Sequence, residues 1–293
     1  MNDTNPKYPI FIPSKGRYEP KLMLTAKTLE TMNVPYRLVV EPQEYHHYVA
    51  SVGDKRKVIE LDMSYKEKYE VLDEFGLERS TGSGPARNFI WDQAIKEGYE
   101  WHWCVDDNIR AFRRMNHNSK IKVNNGGLIR AMEDFVCRYK NVGMAGPNYM
   151  YFAPSKVNKP VFTLNTRIYS CNLIKSELPL RWRGRHNEDT ILSLDVLKSG
   201  WCTILFNSLL QEKASTMTMR GGNTEEFYKH DSRLHVTQLL VNTHPDVVKL
   251  TKKYNRWHHK VDYSNYGHKL VRIGNKKKNK VNNYGMKLKE IKT

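Results

Sequence analysis

Five short segments near the amino terminus constrain what this chain can fold into. Residues 8–13 read as a strand, 20–32 as a helix, 36–41 as a strand, 44–52 as a helix and 57–61 as a third strand. Strands and helices alternating at such short spacing build a parallel sheet with crossover helices. The expected class is α/β: a Rossmann-type sheet flanked by helices. Ligands of such sheets bind just past the carboxyl ends of the strands. Ser14-Lys15-Gly16-Arg17 follows the first strand, small and basic enough to hold a phosphate or a nucleoside, and the second strand ends in Glu41.

The central stretch is Trp101-His102-Trp103-Cys104-Val105-Asp106-Asp107-Asn108. Trp101, Trp103 and Val105 alternate with His102 and Cys104, the period of a strand with two distinct faces. Two carboxylates and an amide follow without a spacer. Adjacent carboxylates repel unless something positive lies beside them. A magnesium or manganese ion does that, taking hard oxygen ligands while gripping phosphates. A turn or a helix cap is the other reading of Asp107-Asn108. Just upstream, the glycine-rich loop Ser80–Asn88 runs into a helix with Pro85 in its first turn and Gly98 at its end. Arg87 and Asn88 thus lie at a helix amino terminus, which favours an anion.

Further on, residues 109–115 suit a strand, 127–139 a helix and 142–147 a short strand. Residues 161–174 suit one long strand or a hairpin. Arg185-His186-Asn187-Glu188-Asp189 opens a helix that stops at Gly200. Asn187 fits a cap whose acids match the helix dipole. Equally, a carboxylate held there could take a proton from an acceptor hydroxyl. Residues 201–207 read as a strand and 211–223 as a polar, methionine-rich loop of the kind that orders over substrate. Segments 233–241 and 245–250 read as helical or mixed.

The net charge of +17 favours a polyanionic partner through phosphate neutralisation and counterion release. Lys276, Lys277 and Lys278 lie in a tail almost without acids. Trp257 and His258 belong to an aromatic and basic cluster able to stack on bases. Cys104, Cys137, Cys171 and Cys202 are far apart in apolar surroundings, which suits reduced core residues of a cytosolic protein. The amino terminus lacks the apolar stretch of a signal peptide. No run approaches the roughly 20 apolar residues that span a bilayer.

Ile12-Pro13-Ser14-Lys15-Gly16-Arg17, Gly84-Pro85-Ala86-Arg87-Asn88, Trp103-Cys104-Val105-Asp106-Asp107-Asn108 and Asn187-Glu188-Asp189 resemble, in this order, glycosyltransferases of the GT-A fold. In detail the chain is similar to the TET-associated glycosyltransferases, phage enzymes that glycosylate 5-hydroxymethylcytosine in DNA. The resemblance covers roughly residues 8–225. It implies one GT-A core (1–225) and leaves 226–293 as a basic, helical or extended region for DNA contact. It implies a nucleotide-sugar donor, a UDP-sugar, and a metal-dependent, inverting enzyme; a monomer is favoured, with the oligomeric state left open. Asp106, Asp107 and Asn108 would hold the manganese or magnesium ion. Pro13, Ser14 and Arg17 would lie near the nucleoside, with Arg87 and Asp106 on the rest of the donor. Asp189 would be the stronger candidate for the base and Glu188 the weaker. Arg185, His186, Trp257, His258 and the three tail lysines would meet DNA, whose target base has to leave the helix stack. Asn108 departs from the common Asp-x-Asp pattern, although an amide oxygen can also coordinate. The alternatives are a nucleotidyltransferase or nuclease on DNA, a glycosyltransferase with another acceptor, and a non-catalytic DNA-binding module.

Overall fold

The computed structural model describes residues 4–116, 118–154, 160–214 and 232–274. The opening alternation is as expected: β1 (Ile10–Pro13), α1 (Leu24–Thr31), β2 (Arg37–Val40), α2 (Tyr45–Val52) and β3 (Val58–Glu60). A short helix α3 (Ser64–Glu67) and the longer α4 (Gly84–Lys96) lead to the central strand β4 (Trp101–Val105). Then come β5 (Ile109–Asn116), β6 (Ser119–Val123), α5 (Gly127–Val136), β7 (Val142–Tyr149), β8 (Phe162–Leu164), β9 (Cys171–Lys175), α6 (Glu188–Lys198) and β10 (Cys202–Lys213). The last described elements are α7 (Arg233–Thr243), β11 (Val248–Lys253) and β12 (Arg256–Val261).

The main sheet runs β3-β2-β1-β4-β9-β7-β10-β5-β6, with β8 paired to β10. Its first four strands are parallel, so β1, β2 and β4 end at one edge. β9 enters antiparallel beside β4, with Cys171 opposite Val105. That reversal brings the start of β9 to the edge where β4 stops. It is also the place where a sheet of this kind opens a crevice.

The two faces of β4 are the ones its alternation predicts. Trp101, Trp103 and Val105 pack in one cluster with α1 and α5, and Cys104 packs in the other with Trp91 of α4. Trp101 and Trp103 are each 1% exposed, and burial of such a side chain contributes on the order of 2–3 kcal/mol. The His102 ring lies tilted against Trp91, centroids 5.4 Å apart, and its Nδ1 meets Ser176 Oγ at 3.0 Å. Burial lowers its imidazole to about 3, so it stays neutral.

Three expectations change. Residues 161–174 form neither one strand nor a hairpin: β8 pairs with β10, while β9 lies between β4 and β7. β10 extends to Lys213, six residues past the expected end, because its register against β7 shifts between Phe206 and Leu210. Such a bulge absorbs Asn207 and Ser208, which read as a stop in the sequence. The segment around 245–261 is a β-hairpin, β11 with β12.

The described part of the C-terminal region is not a loose extension. Leu239 and Leu240 of α7, with Val247 and Val248, pack on Ile191 and Leu194 of α6. The chain then returns along the core: Lys140 N donates to Val271 O at 2.9 Å, and Tyr139 bridges Arg272. Among the described residues no helix is long and apolar enough to cross a membrane.

Candidate active site

A crevice of about 370 Å³ opens past the carboxyl ends of β1 and β4. Asp106, Asp107 and Asn108 form its floor. Thr25 of α1 holds their turn: Ile109 N donates to Thr25 Oγ1 at 2.8 Å, and Thr25 N donates to Asp107 O at 3.2 Å. The peptide leaving β4 is tied across the sheet by Asp106 N donating to Ser170 O at 2.7 Å. Ser170, just before β9, has a positive φ of 65°. A side chain seldom adopts that backbone, and such residues gather at functional sites.

The carboxylate pair is compensated from two sides. Asp107 faces β1: Ser14 Oγ donates to its Oδ2 at 2.8 Å, and Arg17 Nη1 ion-pairs with its Oδ1. Ser14 is itself held by the Tyr48 hydroxyl at 2.8 Å. Burial pushes the Asp107 carboxyl above its ordinary value against the pull of Arg17 and Ser14. Asp106 faces the other way: Arg87 Nη2 donates to Oδ1 at 2.7 Å and Lys213 Nζ to Oδ2 at 2.6 Å. Burial works against the Asp106 charge, but Lys213 and Arg87 hold its carboxyl well below the carboxylate range. Pro13, Ser14 and Arg17 line the crevice. Ser14 and Arg17 serve to fix Asp107.

Arg87 lies in the first turn of α4, yet its guanidinium does not wait for an anion. Its side chain is 3% exposed, lies over the Trp182 ring at 4.4 Å, and reaches Asp189 at 3.1 Å, Glu188 at 3.4 Å and Asp106. Arg87 forms a strut between the two acidic motifs. The glycine before it matters for packing. A Cβ on Gly84 would lie 1.9 Å from Tyr69 Oη, which donates to Gly184 O at 2.9 Å. Tyr69 thus links the loop to the segment that leads to the second acidic motif.

That motif is not a conventional cap. Asn187 has a left-handed backbone, makes no side-chain cap and donates instead to Val236 O of α7 at 2.7 Å. Glu188 and Asp189 turn into the crevice. Asp189 is held by three donors: Arg87 Nη1 at 3.1 Å, Asn172 Nδ2 at 3.2 Å and Ser170 N at 3.2 Å. Glu188 has weaker partners, Ser83 Oγ at 3.5 Å and Arg87 at 3.4 Å. Burial pushes its carboxyl up to about 7, and Asp189 adds to the rise against the pull of Arg87. Two adjacent acids thus have different environments. One is held by three protein donors; the other has only long contacts, and burial pushes its carboxyl up to about 7.

The donor set does not fit a divalent cation as it stands. All four carboxylate oxygens of Asp106 and Asp107 already take protein donors. Among the described residues no group of three or more acid, histidine or cysteine side chains gathers to hold a metal. The buried Asn108 Oδ1 lacks a partner, but one amide oxygen is not a site for an ion that takes six ligands.

The other expected contacts lie elsewhere. Arg185 is 2% exposed and pinned to Asp73 and to the carbonyls of Ser80 and Gly76. It fastens the loop before α4 and is not open to DNA. His186 is equally buried. Trp257 and His258 lie on β12, where Trp257 is 38% exposed beside Lys252. None of these four lines the crevice. Lys276, Lys277 and Lys278, and the loop beyond Ala214, lie outside the described residues. Sequence reasoning missed Lys213, Arg167, Ser170 and Asn172 as site residues. A longer β10 would have exposed Lys213, since its last residue must reach the crevice edge.

Removing the Arg185 charge tests its reassignment. Arg185→Met leaves Asp73, 1% exposed, without its buried partner. The expected loss is about 3–5 kcal/mol of stability in urea unfolding. The salt dependence of DNA binding should be unchanged; a flatter slope with normal stability makes Arg185 a phosphate contact after all.

No curated protein matches the chain significantly. Residues 8–222 match the family described as TET-associated glycosyltransferase. The mixed sheet flanked by helices is consistent with a GT-A-like fold. The match spans most of the chain, and its strand ends, loop and helix start converge on one crevice. The chain therefore belongs to the TET-associated glycosyltransferase family and is, by that membership, a glycosyltransferase.

Proposed function

We propose that the protein moves a sugar from a nucleotide-sugar donor, a UDP-sugar, to the hydroxymethyl oxygen of 5-hydroxymethylcytosine in DNA, with inversion. The observation that carries this reading is the contrast within one crevice between Asp189, whose oxygens are taken by three donors, and Glu188, whose contacts are long and whose carboxyl burial pushes up to about 7. A general base works best with a pKa near the working pH. On this reading Glu188, not the expected Asp189, takes the acceptor proton. Asp189 orients Arg87 and the Ser170 turn. The acceptor oxygen bonds to the anomeric carbon as the carbon–oxygen bond to the diphosphate breaks. The electron pair leaves with the diphosphate, and the proton stays on Glu188. Cations at the floor stabilise the charge that develops on the leaving group.

DNA as acceptor is supported by charge and its placement. β5 starts directly after Asn108 and pairs with β6. Arg110, Arg114 and Lys122 on these strands are exposed and have no carboxylate partner among the described residues. Together with the +17 balance of the whole chain, such a basic edge suits a phosphate backbone beside the crevice. The tail lysines remain proposed contacts on composition alone.

The test is mass spectrometry of nucleosides from hydroxymethylated DNA incubated with a panel of nucleotide sugars. The expected product is 5-hydroxymethyl-2′-deoxycytidine carrying one added sugar, on DNA of unchanged length. Cut or extended DNA with no added sugar would point instead to a nuclease or nucleotidyltransferase.

A further inference from the structure

We propose that the Lys213 ammonium fills the place a divalent metal would take at Asp106, and that with Arg167 it receives the donor's diphosphate, so that transfer needs no metal ion. The inference rests on the glycosyl-transfer reading of the crevice.

Lys213 ends β10 opposite Ile109, one residue past the Asp106-Asp107-Asn108 floor. Its Nζ lies 2.6 Å from Asp106 Oδ2 and 2.8 Å from Ser170 Oγ, with the side chain 13% exposed in the crevice wall. An ammonium has three N–H donors. Two go to Asp106 and Ser170; the third has no acceptor among the described residues. A metal ligated by Oδ2 at about 2.1 Å would crowd a second cation onto the same oxygen. The other Asp106 oxygen is taken by Arg87, and Asp107 is closed by Arg17 and Ser14. Burial opposes the Lys213 charge, but Asp106 outweighs it and keeps the ammonium protonated far above neutral pH.

Most cations of the wall are already spent. Lys15 and Lys66 pair with Glu41, Arg17 with Asp107, and Arg87 with three acids. Arg167 is different. It lies over the Tyr169 ring at 4.7 Å, touches Thr190 Oγ1 at 3.5 Å, and has no carboxylate partner among the described residues. A half-neutralised lysine and an unpaired arginine therefore line the same crevice as the acids. An arginine fork and an ammonium are the side chains that bind a diphosphate by charge-assisted hydrogen bonds.

The test is calorimetric titration of the full chain with UDP, then with the other nucleoside diphosphates in turn. Each is run in EDTA and in manganese, with bound manganese counted by electron paramagnetic resonance. The expected result is an affinity equal in the two buffers within about twofold and no stoichiometric manganese. Lys213→Met and Arg167→Met should each weaken the diphosphate at least tenfold, the range of a charged hydrogen bond. Lys213→Arg should retain most of it. In Lys213→Met the vacated Asp106 should admit manganese, and the metal should restore part of the affinity. An affinity lost in EDTA, with one manganese per wild-type chain, overturns this inference alone. No diphosphate binding in either buffer overturns the donor reading and this inference with it. Should Lys213→Met fail to fold, the wild-type comparison and Arg167→Met still decide.

Discussion

Glu188→Gln is expected to lower kcat for sugar transfer by about 10²- to 10⁴-fold, the usual contribution of a general base, with donor affinity nearly unchanged. The wild-type rate should rise as pH passes through about 7 and then level off, since the base acts only when ionised. The variant should lose that limb. Asp189→Asn should behave differently. It removes a charge from Arg87 and an acceptor from Asn172 and Ser170, so it should disturb stability and donor binding along with rate. Stability gives an independent check with a definite sign. The Glu188 carboxyl is raised from 4.5 to about 7, so the stability its proton brings is present below about 4.5 and lost as pH rises through about 7. Gln carries no charge to bury. The variant should therefore melt higher than wild type at pH 8, with a difference that shrinks toward pH 5. A rate that survives Glu188→Gln but collapses in Asp189→Asn, with donor binding intact, returns the base to Asp189.

Arg87→Met is expected to destabilise the protein by about 3–5 kcal/mol, the cost of breaking a buried ion pair from one side. The guanidinium is the shared partner of Asp106, Glu188 and Asp189, and it lies over Trp182. Burial opposes its charge, but Asp189, Asp106 and Glu188 together hold it far above its ordinary value, so it is charged at any working pH. Arg87→Lys should rescue little. A planar fork spans two carboxylates on different elements, and a single ammonium does not. The deficit should narrow as pH falls through 7, because a protonated Glu188 no longer needs the missing charge. Urea unfolding at pH 6 and pH 8 measures both effects; an equal loss at the two values would remove Glu188 from this cluster.

Much of this organisation was legible in the sequence because it is local. The first five elements and the two faces of β4 follow from apolar periodicity, which depends only on near neighbours. The same holds for the acids after β4 and before α6. What could not be read was compensation between distant segments. Asp106 and Asp107 posed a charge problem whose answer was expected to be a metal. Here Arg17 answers it from 90 residues away and Lys213 from 107. Lys213 was hidden by the bulge in β10, which made Asn207 and Ser208 look like a strand end. Arg185 misled for the opposite reason. A basic residue beside an acidic motif reads as a surface contact until Asp73, 112 residues upstream, is seen to bury it. β8 and β9 escaped because each pairs with a strand far along the chain, never with the other.

Val271 and Arg272 are stitched to Lys140 and Tyr139, just before β7 begins. β7 runs parallel to β4, so the chain passes there at the edge of the sheet opposite the crevice. On the DNA reading, the exposed Lys269 and Arg272 at that edge meet the duplex away from the wall that selects the base. They act as a tether, raising the effective concentration of DNA near the site. Residence on DNA and choice of nucleotide then become separable properties. Ionic strength tunes the first, and the shape of the crevice sets the second.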